Sequence, residues 1–220
     1  RFFGREKIIG RGAFLKGDRV IVVQHHEQEV CRTSDIQLRG EHNVLNVLAA
    51  CALTATQGVD VEAMAQVVRT FKGVAHRLQW VRELNGVKYY DGSISTAPER
   101  LMADLQAYDE PIVLLAGGRD KHLPWDAAAR MIVERVRNLI VFGEMAGLVQ
   151  AAVEEQIEQS DARVLEKVYR VTTLDEAVAI AAQVARAGDV VLLSPGGTSY
   201  DAFKDFAERG DKFQDLVKAL

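Results

Sequence analysis

The sequence predicts an α/β protein in which a mostly parallel sheet carries helices on both faces, and three observations lead there. First, near-continuous Val, Ile and Leu runs at 111–116, 138–142, 167–171 and 189–193 alternate with helical patterns at 97–107, 124–136, 146–157, 174–187, 199–208 and 211–219. Strands that are apolar on both sides belong to a sheet covered on both faces, and regular alternation with helices favours parallel pairing. Second, two of those runs break into paired glycines: Ile112-Val-Leu-Leu-Ala-Gly-Gly-Arg-Asp-Lys-His122 and Asp189-Val-Val-Leu-Leu-Ser-Pro-Gly-Gly-Thr-Ser-Tyr-Asp201. Third, Asn85-Gly86 joins Leu78-Gln-Trp-Val-Arg-Glu-Leu84 to Val87-Lys-Tyr-Tyr90, which is the strongest short-range hairpin signal.

Residues 1 to about 38 read as short β runs punctuated by turns. Arg19-Val-Ile-Val-Val23 follows Gly17-Asp18, and Glu29-Val-Cys-Arg32 precedes Ile36-Gln-Leu38, so hairpins or edge strands are expected. These runs offer no core large enough to stand alone. From His42 the period becomes helical, with Val44, Leu45, Val47, Leu48, Cys51 and Ala52 at helical spacings and Gly58 as the stop. Asp60 is placed to cap a second helix through Thr70. A boundary near residues 72–78 separates this leading segment from the α/β unit.

Composition bounds the function. Of the 220 residues 48% are hydrophobic, ample for a core, and the net charge of −4 gives no electrostatic reason to expect nucleic-acid binding. Cys31 and Cys51 have neither metal-ligand spacing nor the number needed for a disulfide framework, which fits a reducing cytoplasm. No apolar run reaches the roughly 18 residues of a membrane span, and the start does not resemble a signal peptide. A chain that opens at Arg1 with strand fragments before its first helix is expected to be part of a longer protein.

In open parallel sheets, ligands bind beyond the carboxyl ends of the strands, where glycines let backbone amides approach an anion. Lys121, delivered by the first glycine loop, reads either as a clamp for a carboxylate or as a solvated loop lysine beside Asp120. Ser194, Thr198 and Ser199 surround the second glycine pair, and Ser199 reads as an anion contact or as the N-cap of helix 199–208. The G-x-S-x-G elbow is absent and no histidine follows, against a serine hydrolase. The five histidines lack the H-x-x-x-H spacing of a helical metal site, so no metal site within the chain is expected. Arg77 suits either a surface ion pair or a nucleotide, and Asn46 either an adenine edge or a neighbouring backbone group. Neither a G-x-x-x-x-G-K-[ST] phosphate loop nor a G-x-G-x-x-G fingerprint occurs.

Several stretches together are similar to the Mur ligases. They are Gly40-Glu-His-Asn-Val-Leu-Asn46, Phe71-Lys-Gly-Val-Ala-His-Arg77, Asp91-Gly-Ser-Ile-Ser-Thr-Ala-Pro-Glu-Arg100, Gly117-Gly-Arg-Asp-Lys121, Ser194-Pro-Gly-Gly-Thr-Ser-Tyr-Asp-Ala-Phe-Lys-Asp-Phe206 and Glu208-Arg-Gly210. They run in family order over nearly the whole chain. The two loops ending in Lys121 and Phe206 resemble the D-glutamate-adding members, and the D-N-P-R motif of diaminopimelate-adding members is absent.

The resemblance implies a three-domain cytoplasmic enzyme of peptidoglycan synthesis that joins D-glutamate to UDP-N-acetylmuramoyl-L-alanine, using ATP and Mg2+ through an acyl phosphate. Residues 1–73 would be the last part of the central ATPase domain, and residues 74–220 the C-terminal Rossmann-like ligase domain. By family position, Asn46 would face adenine, Arg77 the nucleotide, and Asp91 would stand in for a nucleotide-contacting aspartate. Thr96, Lys121, Ser199, the Tyr200 backbone and Phe206 would form the D-glutamate pocket. No catalytic residue is assigned within the chain, and the missing phosphate loop implies that the chain alone is inactive.

Two departures stand out. The family aspartate before Ser93 is replaced by Gly92, and Ile94 stands where many members carry lysine. Two other readings remain at this point: a related ligase that adds L-glutamate to folate or an amino acid to another muropeptide, and a Rossmann-like binding module without transferase activity.

Overall fold

The computed structural model describes residues 2–6, 11–160 and 163–220, and the chain divides into two compact units, residues 1–73 and 74–220. The first unit contains β1 (Phe2–Gly4), β2 (Gly12–Lys16), β3 (Arg19–Val23) and β4 (Glu27–Arg32) in that spatial order. β2, β3 and β4 form an antiparallel meander, and β1 adds in parallel to β2. Helices α1 (Glu41–Ala55) and α2 (Val61–Thr70) bury Leu48, Cys51, Met64 and Ala65 against Val20, Val22 and Cys31 of the sheet.

The strand expected at Ile36–Leu38 does not form. A 3-10 turn at Thr33–Asp35 ends β4 first, because the Asp35 carboxylate accepts from the Arg32 amide at 3.0 Å and the Thr33 amide turns back to the Asp18 carbonyl at 2.7 Å. Asp60 occupies the N-cap position of α2 in extended conformation, but without the expected side-chain cap bond.

The second unit opens with a hairpin of β5 (Gln79–Leu84) and β6 (Val87–Asp91). Asn85 and Gly86 have φ of 52° and 75°, the two positive values that a type I′ turn needs and that these residue types tolerate best. There follow α3 (Pro98–Leu105), β7 (Ile112–Gly117), α4 (Asp126–Arg135), β8 (Val136–Phe142), α5 (Ala146–Gln159), β9 (Lys167–Arg170), α6 (Leu174–Val184), β10 (Val190–Gly196) and α7 (Phe206–Ala219). The sheet order is β5-β6-β10-β7-β8-β9, parallel throughout except at β5.

Side chains alternate across this sheet. Leu114, Leu139, Val141 and Leu192 face α3, α4 and α5, whereas Val113, Leu115, Ile140, Val191 and Leu193 face α6 and α7. The chain leaves β7 toward one face and β10 toward the other. Their neighbouring carboxyl ends therefore form the topological switch point, where an open α/β sheet has its crevice. Among the described residues no helix is long and apolar enough to cross a membrane.

The C-terminal end corrects the sequence reading. Instead of helices at 199–208 and 211–219, residues 199–205 make turns and one helix runs over Phe206–Ala219. Ser199 is not its cap; the Asp205 carboxylate accepts from the Glu208 amide at 2.8 Å. Gly210, read as a break, sits inside α7. A Cβ there would fall on the buried His76 ring and 2.8 Å from Asp91 Oδ2, so this glycine is a packing requirement. An exposed helical Gly→Ala change ordinarily stabilises by about 0.5–1 kcal/mol. Gly210→Ala is expected instead to destabilise by about 1–3 kcal/mol through overpacking, which urea denaturation of the chain would measure.

Candidate functional site

Three loops meet at the carboxyl ends of β6, β7 and β10. The β7 and β10 loops are joined back to back: the Arg119 amide donates to the Thr198 carbonyl at 2.8 Å, and the Thr198 amide returns to the Arg119 carbonyl at 3.0 Å. The β6 loop joins them where the Gly196 amide donates to the Ser95 carbonyl at 2.8 Å.

The paired glycines serve this assembly. A Cβ on Gly118 would strike the Thr198 carbonyl, one on Gly117 the Phe142 carbonyl, and one on Gly197 the Met145 sulfur. The amides of Gly118, Arg119, Gly196 and Thr198 all donate to protein carbonyls. These four amides are thus committed to loop-to-loop packing rather than held open to an anion.

Arg209 of α7 holds the three-loop junction from below. It is fully buried, and its guanidinium donates to Ser93 Oγ at 3.0 Å, the Ser93 carbonyl at 2.9 Å and the Gly197 carbonyl at 3.2 Å. Burial lowers its pKa to about 10, partly offset by Asp201 and Asp91, so it stays charged at neutral pH. A planar fork with several donors suits such a junction, where a lysine would leave carbonyls unpaired. The sequence displayed Glu208-Arg-Gly210 as a motif but gave Arg209 no role. Its buried partners lie 116 positions away at Ser93 and 12 away at Gly197, and no local pattern reveals them.

Above that junction the sequence-predicted substrate residues gather unevenly. The exposed Lys121 Nζ donates to Thr96 Oγ1 at 3.1 Å, so two of them meet although 25 positions apart. Ser199 is buried, and its carbonyl accepts from the amides of Ala202 and Phe203. Tyr200 is 60% exposed at the next position. Phe206 lies with its ring edge-on to His76, centroids 6.1 Å apart, and its carbonyl accepts from Ser93 Oγ at 2.7 Å.

The predicted nucleotide residues are divided between the two units. Arg77 is exposed just before β5. Asp91 is fully buried and committed within the fold: Oδ2 meets His76 Nδ1 and Gln214 Nε2, each at 2.8 Å, and Oδ1 accepts from the Ser93 amide at 2.9 Å. This geometry supports a structural role for Asp91, positioning Phe206 through His76, rather than the expected nucleotide contact. Gly92 fits the same account, since a Cβ there would lie 2.7 Å from the Leu193 carbonyl. Asn46 lies in the other unit, exposed on α1, with Nδ2 donating to Asn43 Oδ1 at 3.1 Å. Asn43 is the buried amide, and it satisfies the Arg39 carbonyl at 2.7 Å.

One further group was missed in the sequence. Asp104 of α3 is 6% exposed, accepts from Ser194 Oγ at 2.8 Å and lies with Oδ2 3.2 Å from where a Gly92 Cβ would stand. Burial raises its pKa from the ordinary 3.8 to about 6, against the lowering effects of the Ser95 and Ser194 hydroxyls and of Arg77 and Arg100. Its position among apolar helix residues gave no sign of this. Among the described residues no cluster of three or more His, Cys, Asp or Glu side chains could hold a metal ion.

A family model described as the Mur ligase, glutamate ligase domain, matches residues 76–197, more than half of the chain. The chain belongs to the Mur ligase family. Curated Mur ligase relatives named UDP-N-acetylmuramoylalanine–D-glutamate ligase include one from Acetivibrio thermocellus, 39% identical over 100% of this chain and 47% of the relative. Another, from Clostridium perfringens, is 40% identical over 99% of this chain and 46% of the relative. The chain thus spans about half the length of the curated relatives it matches. Among solved structures, the Mur ligase MurC from Thermotoga maritima superposes with a TM-score of 0.67 at 16% identity, covering 99% of this chain and 47% of that one. MurF from Acinetobacter baumannii gives 0.66 at 15%, covering 98% and 46%. These structural likenesses show the shared Mur ligase fold.

Two measurements test this site. Arg209→Met is expected to lower stability by about 2–3 kcal/mol, because the Ser93 and Gly197 carbonyls lose their donor, as read by thermal denaturation. Asp104 has a folded pKa above its unfolded one, so the stability it contributes is present at low pH and lost as pH rises through about 6. The stability of the wild type relative to Asp104→Asn should therefore fall between about pH 4 and about pH 7; a pH-independent difference in urea denaturation would contradict the assignment.

Proposed function

We propose that this chain is part of an ATP-dependent amide ligase that adds D-glutamate to UDP-N-acetylmuramoyl-L-alanine in the cytoplasm during peptidoglycan synthesis, and that it supplies the D-glutamate site. The observation that carries this reading is the Lys121–Thr96 pair at the switch point of the sheet, beside the turn of Ser199 and Tyr200. A dicarboxylate needs a cation, hydroxyl or amide donors and an apolar wall for its methylenes. Lys121, Thr96 and Ser199 fit the first two needs and Phe206 the third, and the names of the relatives at about 40% identity agree with this substrate.

In this reading ATP converts the uridine-linked carboxylate into an acyl phosphate. The D-glutamate amine attacks that carbonyl carbon, a tetrahedral intermediate forms, and inorganic phosphate leaves as the amide closes and the amine loses its proton. The part played by this chain is to fix the amine by its two carboxylates so that attack becomes effectively intramolecular. Residues 1–73 read as the end of the ATPase domain, with Asn46 toward adenine, and Arg77 of the second unit reads as a nucleotide contact. Magnesium has no ligand cluster among the described residues, and no step here is assigned to it.

Calorimetric titration of the full-length protein should show D-glutamate binding in preference to L-glutamate, and the reverse preference would sink this function. Lys121→Ala should weaken D-glutamate binding about 10- to 100-fold, the cost of a charge-assisted hydrogen bond. The 220-residue chain alone should form no acyl phosphate from ATP.

A further inference from the structure

We propose that Asp104 is a positioning residue for the amino-acid substrate: by accepting from Ser194 Oγ at 2.8 Å while its Oδ2 lies against Gly92, 3.2 Å from where a Cβ would stand, it locks the β6 loop to the end of β10 and so sets the Lys121–Thr96 pair. This rests on the reading of these loops as an amino-acid site. It goes beyond that reading by assigning specificity geometry to a side chain that touches no ligand.

The argument begins with a cost. A carboxylate buried to this degree is unfavourable, and the groups facing it are the hydroxyls of Ser95 and Ser194 with the charges of Arg77, before β5, and Arg100, on its own helix. None of these is a buried ion-pair partner that would explain its retention by stability alone. Groups that cost stability persist where function needs them.

The neighbours show what the cost accomplishes. An ionised carboxylate is acceptor-only, so it holds the Ser194 hydroxyl in one orientation. Ser95 is adjacent to Thr96, whose hydroxyl receives Lys121 Nζ at 3.1 Å, and the Ser95 carbonyl receives the Gly196 amide at 2.8 Å. Ser194 begins the run that leads through Gly197 to Ser199 and Tyr200. Asp104 itself stands on a fixed platform, since Leu101 and Leu105 of α3 are fully buried and pack into the main core. One side chain therefore ties together the loops that carry Thr96 and Ser199, while Arg209 ties the same loops through Ser93 and Gly197 from the other side.

The test is steady-state kinetics of the full-length protein. Asp104→Ala should raise the KM for the amino acid about tenfold while kcat and the KM for ATP change less than about twofold. Asp104→Asn, which keeps one acceptor oxygen and the shape, should recover most of the loss. An unchanged amino-acid KM, or an equal loss in every parameter, would overturn the inference. Should Asp104→Ala fail to fold by circular dichroism, Ser194→Ala decides the matter by the same KM criterion, an unchanged amino-acid KM overturning the inference. The two failures separate: wild-type preference for L-glutamate removes the proposed function, whereas a raised KM for whichever amino acid is used still supports the role of Asp104.

Discussion

The buried guanidinium of Arg209 is the constraint on which the loops at the carboxyl ends of the second unit's strands depend. It spans from α7 to the loops after β6 and β10, and among the described residues no carboxylate meets it directly; its partners are a hydroxyl and two carbonyls. A charge with so little access to water needs each of these acceptors. The consequence is mechanical as well as electrostatic. The loops cannot drift apart without leaving the cation unsatisfied, and a fixed positive charge lies beneath a surface where Lys121 adds a second.

Close approach completes what Arg209 begins. Gly118 lets the Thr198 carbonyl reach the loop after β7, Gly197 accommodates Met145, and Gly210 admits the His76 ring against α7. Each glycine removes a Cβ at a contact between segments far apart in sequence. The Asp91–His76–Phe206 chain extends the same logic outward: a buried carboxylate orients an imidazole, and the imidazole edge sets the aromatic ring. The same network returns to the β6 loop, where the Ser93 amide donates to Asp91 and the Ser93 hydroxyl to the Phe206 carbonyl.

Much of the fold was legible because burial imposes its own periodicity. The strands from β7 to β10 read as apolar runs since both faces are covered, and Asn85-Gly86 declared its hairpin through the positive φ values it can adopt. Misreadings arose where tertiary contact overrode local pattern. Gly210 looked like a helix end, yet His76 occupies the space its side chain would need. Ile36–Leu38 looked like a strand, yet the Asp35 carboxylate had already turned the chain.

At the site, the sequence by itself offered Lys121 and Ser199 as candidate anion contacts, because each follows a glycine pair at a strand end, whereas Thr96 and Phe206 entered only through the family resemblance. It equally determined the family resemblance. Only the tertiary structure decided which glycines serve packing, that Asp91 is enclosed rather than offered to a ligand, and that Arg209 and Asp104 hold the loops in place. The physical reason is separation along the chain. Hydrogen bonds such as Arg209 to Ser93 and Ser194 to Asp104 join residues roughly a hundred positions apart, and local sequence carries no record of what a folded chain brings within 3 Å.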